Sequence, residues 1–296
     1  MDIEIGRKIK ELRSFYRISQ ADLCEGICNQ SFISKLEKGL VHPSANVLSM
    51  IAERLGVAPQ YFFDPFADVT KVNYMYKVID SISKNIDRAK YAEVLEMVEA
   101  EEENPIFKRA DLKQYLLWRK GICLFHLEED AASAVDCLDE ALALAPTTAK
   151  NKSERELDIL LSKAIIYSVM ERYQEAASIY KLLLKEIARH PYVLSNKLLL
   201  RTYYNYSKNE FDQENYKTSL KFSQEGVKYC LQNDSLYILG EFYFQCGQSG
   251  WKGGQLSKKE ALRFYERAKT LFLLRNNTFF AEIVDEEIEE LTVENI

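Results

Sequence analysis

The stretch Ser19-Gln20-Ala21-Asp22-Leu23-Cys24-Glu25-Gly26-Ile27-Cys28-Asn29-Gln30-Ser31-Phe32-Ile33-Ser34-Lys35-Leu36-Glu37-Lys38-Gly39 reads as two short helices held at a fixed angle. Ser19 is a capping residue, Leu23 and Ile27 stand one turn apart on one face, and Gly26 is expected to let a second helix pack close. That second helix should begin near Asn29 with Ile33 and Leu36 turned inward. Gln30, Ser31, Ser34 and Lys35 then point away from the core, at the end that enters a major groove in a DNA-reading helix-turn-helix.

Working outward, a first helix is expected from Ile5 to Phe15, with Ile5, Ile9 and Leu12 inward. Ser44 should cap a fourth helix carrying Val47, Leu48, Ile51 and Leu55, and Gly56 should end it. Pro59 opens a short fifth helix with Tyr61, Phe62 and Phe63, and Asp64-Pro65 marks the edge of this block. The expected organisation is therefore a five-helix domain at 1–65, a linker at 66–75 and a second domain at 76–296. The 39 Lys+Arg against 45 Asp+Glu leave a net charge of −6 over 296 residues, so any contact with nucleic acid must be local. Residues 1–66 are neutral, with eight basic and eight acidic side chains, and the whole negative balance lies downstream.

Beyond Pro65 the pattern changes to long amphipathic helices in pairs, and a period of about 34 residues matches the tetratricopeptide spacing. The clearest copy places Ala164 and Tyr167 on its first helix, Tyr173 at the turn, and Ala176 and Tyr180 on its second. Another has Gly121 before the turn and Ala134, Leu138 and Ala141 after it, with Pro146 as the stop. Weaker copies surround Tyr91 and Val94, Tyr216 and Ser219, and Gly247 with Ala261, Tyr265 and Ala268, the last with an insertion through Gly250, Gly253 and Gly254. The expected fold is all α: the five-helix domain, then a right-handed superhelix of about five degenerate repeats, closed by a capping helix from Thr278 to Leu291.

The first helix of each pair should line a concave groove. The face that includes Tyr115, Trp118, Leu161, Ser168, Arg201, Tyr204, Asn205, Lys208, Phe244 and Gln248 mixes aromatic rings with amides and cations, a composition that suits an extended peptide. Lys163 and Tyr167 join the expected peptide contacts. Leu116, Leu160, Leu183, Leu199 and Leu231 read mostly as core.

Over residues 3–63 the chain resembles the Xre family of phage-repressor-like helix-turn-helix domains, on Ile9-Lys10-x2-Arg13, Ser19-Gln20, Ile27-Cys28-x-Gln30-Ser31, Ser34-x2-Glu37-x-Gly39 and Pro43-Ser44. The resemblance implies that Gln20 anchors to phosphate and that Gln30, Ser31, Ser34 and Lys35 meet base edges or backbone. Gln30 has the paired donor and acceptor that fit adenine; Phe32 suits either a thymine methyl or an apolar core; Lys38 suits phosphate. Joined to the repeats, and with Tyr204-Asn205-x2-Lys208 among them, the chain resembles the PlcR-like branch of the peptide-sensing regulators, a group that includes the Rap, NprR and Prg-type proteins. That resemblance implies a homodimer on a roughly palindromic duplex operator, and a short reimported signalling peptide held by Asn205 and its neighbours.

Other chemistry finds little support. His42, His126 and His190 form no helical metal pair, there is no Gly-rich phosphate loop, and no nucleophile sits beside a general base, so no enzyme, metal or cofactor is expected. The six cysteines are scattered, no apolar run reaches membrane-spanning length and no signal peptide is evident, which together suggest a reduced cytoplasmic protein. Cys24 and Cys28 stand one turn apart, a spacing that strains a disulfide. The rival expectation is an adaptor of the Rap type, whose repeats hold a protein partner and which does not read DNA.

Overall fold

The computed structural model of the chain describes residues 2–63, 69–128, 130–145, 147, 151–190 and 195–293, and every regular element among them is helical. The chain divides into two compact units, Met1–Arg88 and Ala89–Ile296. The expected domain edge at Asp64-Pro65 and part of the expected linker lie outside the described residues.

In the first unit, α1 (Asp2–Phe15), α2 (Gln20–Cys24), α3 (Gln30–Glu37) and α4 (Ala45–Arg54) close around Ile9, Leu23, Ile33, Leu36, Ile51 and Phe62, all nearly inaccessible to solvent. Capping sets where these helices begin. Ser19 and Asp22 exchange hydrogen bonds in a capping box at α2, Asn29 Oδ1 accepts from the Phe32 amide at 2.8 Å, and Ser44 Oγ accepts from the Val47 amide. The expected fifth helix is a 3-10 turn at Pro59–Phe63, with Phe62 inward and Phe63 exposed. α5 (Val69–Asp87) follows.

Two details differ from the sequence reading. α2 stops at Cys24, so Ile27 and Cys28 lie beyond it rather than one turn along it. Gly26 is not a close-packing residue: it has φ +69°, and a Cβ there would meet no atom within 4 Å. Its role is the left-handed turn between α2 and α3. The close approach is at Gly6, where an added Cβ would collide with the Leu36 carbonyl oxygen and so force α1 away from α3.

The second unit begins with α6 (Tyr91–Glu102) and continues as four helix pairs: α7 (Ala110–Glu128) with α8 (Ala131–Ala143), α9 (Glu154–Val169) with α10 (Tyr173–Arg189), α11 (Asn196–Asp212) with α12 (Tyr216–Gln232), and α13 (Leu239–Lys252) with α14 (Lys258–Leu274). α15 (Thr278–Val293) packs on α14 and closes the stack. The small-residue positions are buried as expected, but the period is longer than 34: the pairs begin at Ala110, Glu154, Asn196 and Leu239, 44, 42 and 43 residues apart, because their helices are longer than the tetratricopeptide spacing allows. Ala134, Leu138, Ala141, Ala164, Ala176, Tyr180, Ala261, Tyr265 and Ala268 are all at or near zero exposure. A Cβ at Gly121 would sit 2.9 Å from the Ala134 carbonyl, and one at Gly247 would sit 2.7 Å from the Tyr265 ring. Both glycines are therefore where the paired helices touch. Pro146 lies outside the described residues; α8 ends at Ala143. Leu231, expected in the core, is 59% exposed on α12.

The α11–α12–α13 interface has a polar centre that hydrophobic periodicity does not reveal. Ser207 and Ser223 hydroxyls lie 2.7 Å apart, as do those of Ser219 and Ser249, and Gln245 Nε2 donates to Ser249 at 3.1 Å. All five side chains are buried. Small hydroxyls let the helices approach closely while partnering one another, which avoids the cost of unpaired buried polar groups.

Candidate nucleic-acid interface and peptide groove

The orientation of α3 depends on one carboxylate. Glu37, at the last residue of α3, receives Arg13 Nε at 2.6 Å and Arg13 Nη2 at 3.0 Å from α1, and Gln20 Nε2 at 2.8 Å from α2. Arg13 Nη1 also donates to the Ile18 carbonyl at 2.9 Å. One bidentate ion pair and one amide thus bind the first three helices together. Burial alone would raise the Glu37 carboxyl, but the hydrogen bonds from Arg13 and Gln20 and the Arg13 charge outweigh it, and the group titrates below its usual value. The hydrogen bond to Glu37 likewise raises Arg13. Arg54 adds a clamp from α4, donating to the Asp22 and Glu25 carbonyls at the end of α2.

With its inner side fixed, α3 turns one polar face outward. Gln30, Ser31, Lys35 and Lys38 are exposed and Ser34 is half-buried. These positions recur at one helical spacing opposite Ile33 and Leu36. Phe32 is half-buried against the core of the unit, which matches its apolar reading. Ser31 Oγ donates to Asn29 Oδ1 at 3.0 Å and so belongs to the cap. Gln20, expected at phosphate, has its amide directed at Glu37. Cys24 and Cys28 are free thiols, and burial, with Cys24 nearby, raises the Cys28 thiol.

In the repeats, the first helices of successive pairs are tied by polar bonds. Trp118 Nε1 on α7 donates to Ser162 Oγ on α9 at 2.9 Å, and Arg201 Nη1 on α11 pairs with Asp158 Oδ1 on α9 at 3.1 Å. Ser168 Oγ donates to Asn209 Oδ1 at 2.9 Å, and Gln248 Nε2 on α13 donates to Glu287 Oε1 on α15 at 2.5 Å. Three of these ties join residues 44, 43 and 41 positions apart. A sequence search for polar partners at the observed spacing of the helix pairs finds them; one at the 34-residue period, or for hydrophobic periodicity, does not.

Arg201, Tyr204, Asn205 and Lys208 share one stripe of α11. Asn205 Nδ2 donates to the Arg201 carbonyl at 2.8 Å, Lys208 is exposed, and the Tyr204 ring stands edge-on to Phe242 with its hydroxyl pushed up to about 12 by burial and, secondarily, the Glu241 and Asp212 charges. Phe244 lies 5.8 Å from Tyr265 in a tilted contact. Trp118 is buried, and the Arg119 guanidinium covers it with its carbon 3.7 Å from the ring centre.

Lys163 and Tyr167 sit elsewhere. At about 100° per residue they point roughly 140° and 180° around α9 from Asp158. Lys163 Nζ pairs with Asp139 on α8 at 2.6 Å, and Tyr167 is stacked under Arg172 at 4.1 Å. The structure therefore separates these two from the Arg201–Lys208 stripe. Arg119 and Asp158, which the sequence reading passed over, lie where the ties between α7, α9 and α11 meet. Among the described residues no group of three His, Cys, Asp or Glu is placed to hold a metal ion, and no helix is long and apolar enough to cross a membrane.

Residues 78–291 match the RNPP family C-terminal domain, and residues 9–62 match a helix-turn-helix domain. An uncharacterized HTH-type transcriptional regulator of Sinorhizobium fredii, y4aM, is 38% identical over 73 residues, or 24% of this chain and 50% of that protein. The chain thus spans about half the length of that curated relative. The fold is similar to Bacillus thuringiensis PlcR in complex with the peptide PapR7 and DNA, with a TM-score of 0.81 at 21% identity over 95% of this chain and 99% of that one. It is also similar to ComR from S. thermophilus in complex with DNA and its signalling peptide ComS, with a TM-score of 0.63 at 15% identity over 97% and 99%.

Proposed function

The chain belongs to the RNPP family, and from that premise we propose that it is a cytoplasmic, homodimeric transcription regulator whose repeats bind a short reimported signalling peptide that controls DNA binding. The observation that carries the reading is α3: α1 and α2 hold it through the Arg13–Glu37–Gln20 cluster, and its outward face presents Gln30, Ser34, Lys35 and Lys38. Two copies related by a two-fold axis place two such helices in successive major grooves, which calls for a roughly palindromic operator. Gln30 pairs with adenine, Ser31 and Ser34 approach neighbouring base edges, and Lys35 and Lys38 meet guanine or phosphate. Gln20 lies against the backbone, with Glu37 fixing its amide.

The peptide runs along the first helices, over Trp118, Arg201, Tyr204, Asn205, Lys208, Phe244 and Gln248. It changes DNA affinity only by binding the DNA-competent arrangement more tightly than the other, since equal affinity shifts no population.

Selection from a random duplex pool, by the protein alone and with synthetic peptides encoded beside its gene, tests the reading. Enrichment of a palindromic motif that depends on one peptide is the expected result. No enriched motif in either arm overturns the DNA reading in favour of an adaptor.

A further inference from the structure

Among the described residues, two buried side-chain nitrogen or oxygen atoms have no hydrogen-bond partner, Arg119 Nε and Glu241 Oε2. The first belongs to a cluster of like charges. Arg119 on α7 lies over the Trp118 ring and, at 5.0 Å, the Tyr115 ring; Arg155 on α9 lies 5.7 Å from the same Tyr115 ring; and Arg201 on α11 pairs with Asp158 at 3.1 Å. Arg155 Nη1 is committed to the Asp111 carbonyl, and Glu154 accepts from the Ser195 amide. Asp158 is thus the carboxylate that feels both the Arg201 and the Arg119 charge, with Glu154 acting on it as a like charge.

Stacking decides how Arg119 is presented. A guanidinium donates in its own plane, so a group lying face-on to an indole keeps its N–H edge turned away from the ring. Asp158 feels both Arg119 and Arg201, yet burial raises its carboxyl above its usual range. The pair is not sealed: the Arg201 and Asp158 side chains keep 32% and 22% of their exposure.

We propose that Arg119 and Arg201 form a seat for a carboxylate of the bound peptide, and that Asp158 occupies this seat when no peptide is present. The proposal rests on the peptide-binding reading and gives it a chemical class: an acidic group, from the peptide's C-terminus or from an Asp or Glu side chain, is recognised at the α7–α9–α11 end of the stack. The incoming carboxylate takes the in-plane donors of Arg119 and shares Arg201 with Asp158. Two forked donors around one carboxylate give a strong, directional contact that an amide cannot reproduce.

The test uses the full-length protein and four pools of random synthetic heptapeptides, with free-acid or amidated C-termini, each with and without Asp and Glu. Retained peptides are read by mass spectrometry. From the pools lacking Asp and Glu, the free acids should be recovered at least about ten-fold over the amides, the scale of a bidentate charge-assisted contact. If recovery instead follows Asp and Glu whatever the terminus, the seat stands and the side chain is the source.

Arg119→Gln should bring that preference down to about three-fold or less, with Arg119→Lys between it and the parent because the charge remains without the fork. Asp158→Asn should raise recovery of carboxylate-bearing peptides, since it removes the competing anion. This gain also keeps the test decisive if Arg119→Gln melts early. Acids and amides recovered equally by the parent protein, with no gain from Asp or Glu, would overturn the seat and leave the peptide reading intact. No retention from any pool overturns the peptide reading and the seat with it.

Discussion

The helix-turn-helix unit and the repeats spend their polar side chains differently. In the first unit Arg13, Glu37 and Gln20, and the exposed Arg54, are bonded to one another or to carbonyls, while the outward face of α3 makes few internal bonds. In the repeats, many groups on the inner row are bonded across it, through Trp118 to Ser162, Arg201 to Asp158 and Gln248 to Glu287. A surface left free binds as it stands. A surface whose groups already hold one another must exchange partners, so its ligand couples to the spacing of the helices. Under the proposed function, this contrast suits the first unit to reading and the second to sensing.

The contrast breaks hardest at Glu37. Glu37→Ala leaves the Arg13 guanidinium largely buried without its partner, and loss of one member of a buried pair costs about 3 kcal/mol or more. Both tryptophans, Trp118 and Trp251, lie in the second unit, so amide exchange across α1 to α4 is the measurement to make. Early exchange confined to the first unit is expected. Acid separates the two regions by sign. Glu37 is held below its ordinary 4.5, so its contribution is complete above that pH and is lost as pH falls through the depressed folded value. Asp158 is held above its ordinary 3.8, so its contribution is complete below that pH and declines as pH rises through the raised value. Acidification below pH 4.5 should weaken the first unit while Asp158 ceases to burden the second. Glu37→Gln should remove that part of the first unit's acid sensitivity.

Gly6→Ala comes next. The collision with the Leu36 carbonyl is with backbone rather than with a flexible side chain, and overpacking of this kind costs about 1–3 kcal/mol. Because the displaced element is α3, specific DNA affinity should fall along with the melting temperature. Gly26→Ala should leave α3 in place and cost only the turn, about 1 kcal/mol. Equal losses of DNA affinity in the two variants would contradict the packing argument.

A smaller effect, specific to function, is expected at Gln30. Gln30→Ala removes an exposed side chain with no core role, so stability should hold, while discrimination at one base pair should drop by about 1–3 kcal/mol. Lys38→Ala should instead weaken all sequences together and flatten the salt dependence. Binding to a panel of single-base operator variants at two salt concentrations distinguishes the two.

Much of this fold was legible because helix caps and small-residue contacts are local or periodic. Ser19, Asn29 and Ser44 announce helix starts, and Gly121, Ala164 and Ala176 announce contacts between paired helices. Gly6 was not legible, since its reason is a carbonyl thirty residues away in α3. The placement of the candidate residues on their helices was legible in part. Gln30 and Lys35 follow from facing opposite Ile33 and Leu36, and Arg201 and Asn205 from sharing a stripe. Lys163 and Tyr167 do not share that stripe, since helical rotation carries Lys163 to Asp139 on α8 and Tyr167 under Arg172. Arg119 and Asp158 were missed because their meaning lies in pairing across repeats.

The smallest effect concerns the turns. At the end of α9 the Arg172 amide reaches back to the Tyr167 carbonyl, and at the end of α11 the Asn215 amide reaches the Glu210 carbonyl, both at 2.9 Å. This bond pattern needs a left-handed residue in between, here Glu171 and Glu214, each at φ 60°. After α13 the same pattern, from the Gln255 amide to the Gly250 carbonyl, is served by Gly254, and after α3 and α4 by Gly39 and Gly56. The two glutamates therefore carry a strain that the glycines do not, about 1 kcal/mol for a side chain in this region. Part of the relief in Glu214→Gly is offset by the freer unfolded chain, so a net gain of about 0.5 kcal/mol is expected. Denaturation followed by the fluorescence of Trp118 and Trp251 reads the second unit directly. Glu171→Gly should add a similar amount independently. A loss of stability in either variant would mean that the glutamate side chain contributes more to the turn than its backbone conformation costs.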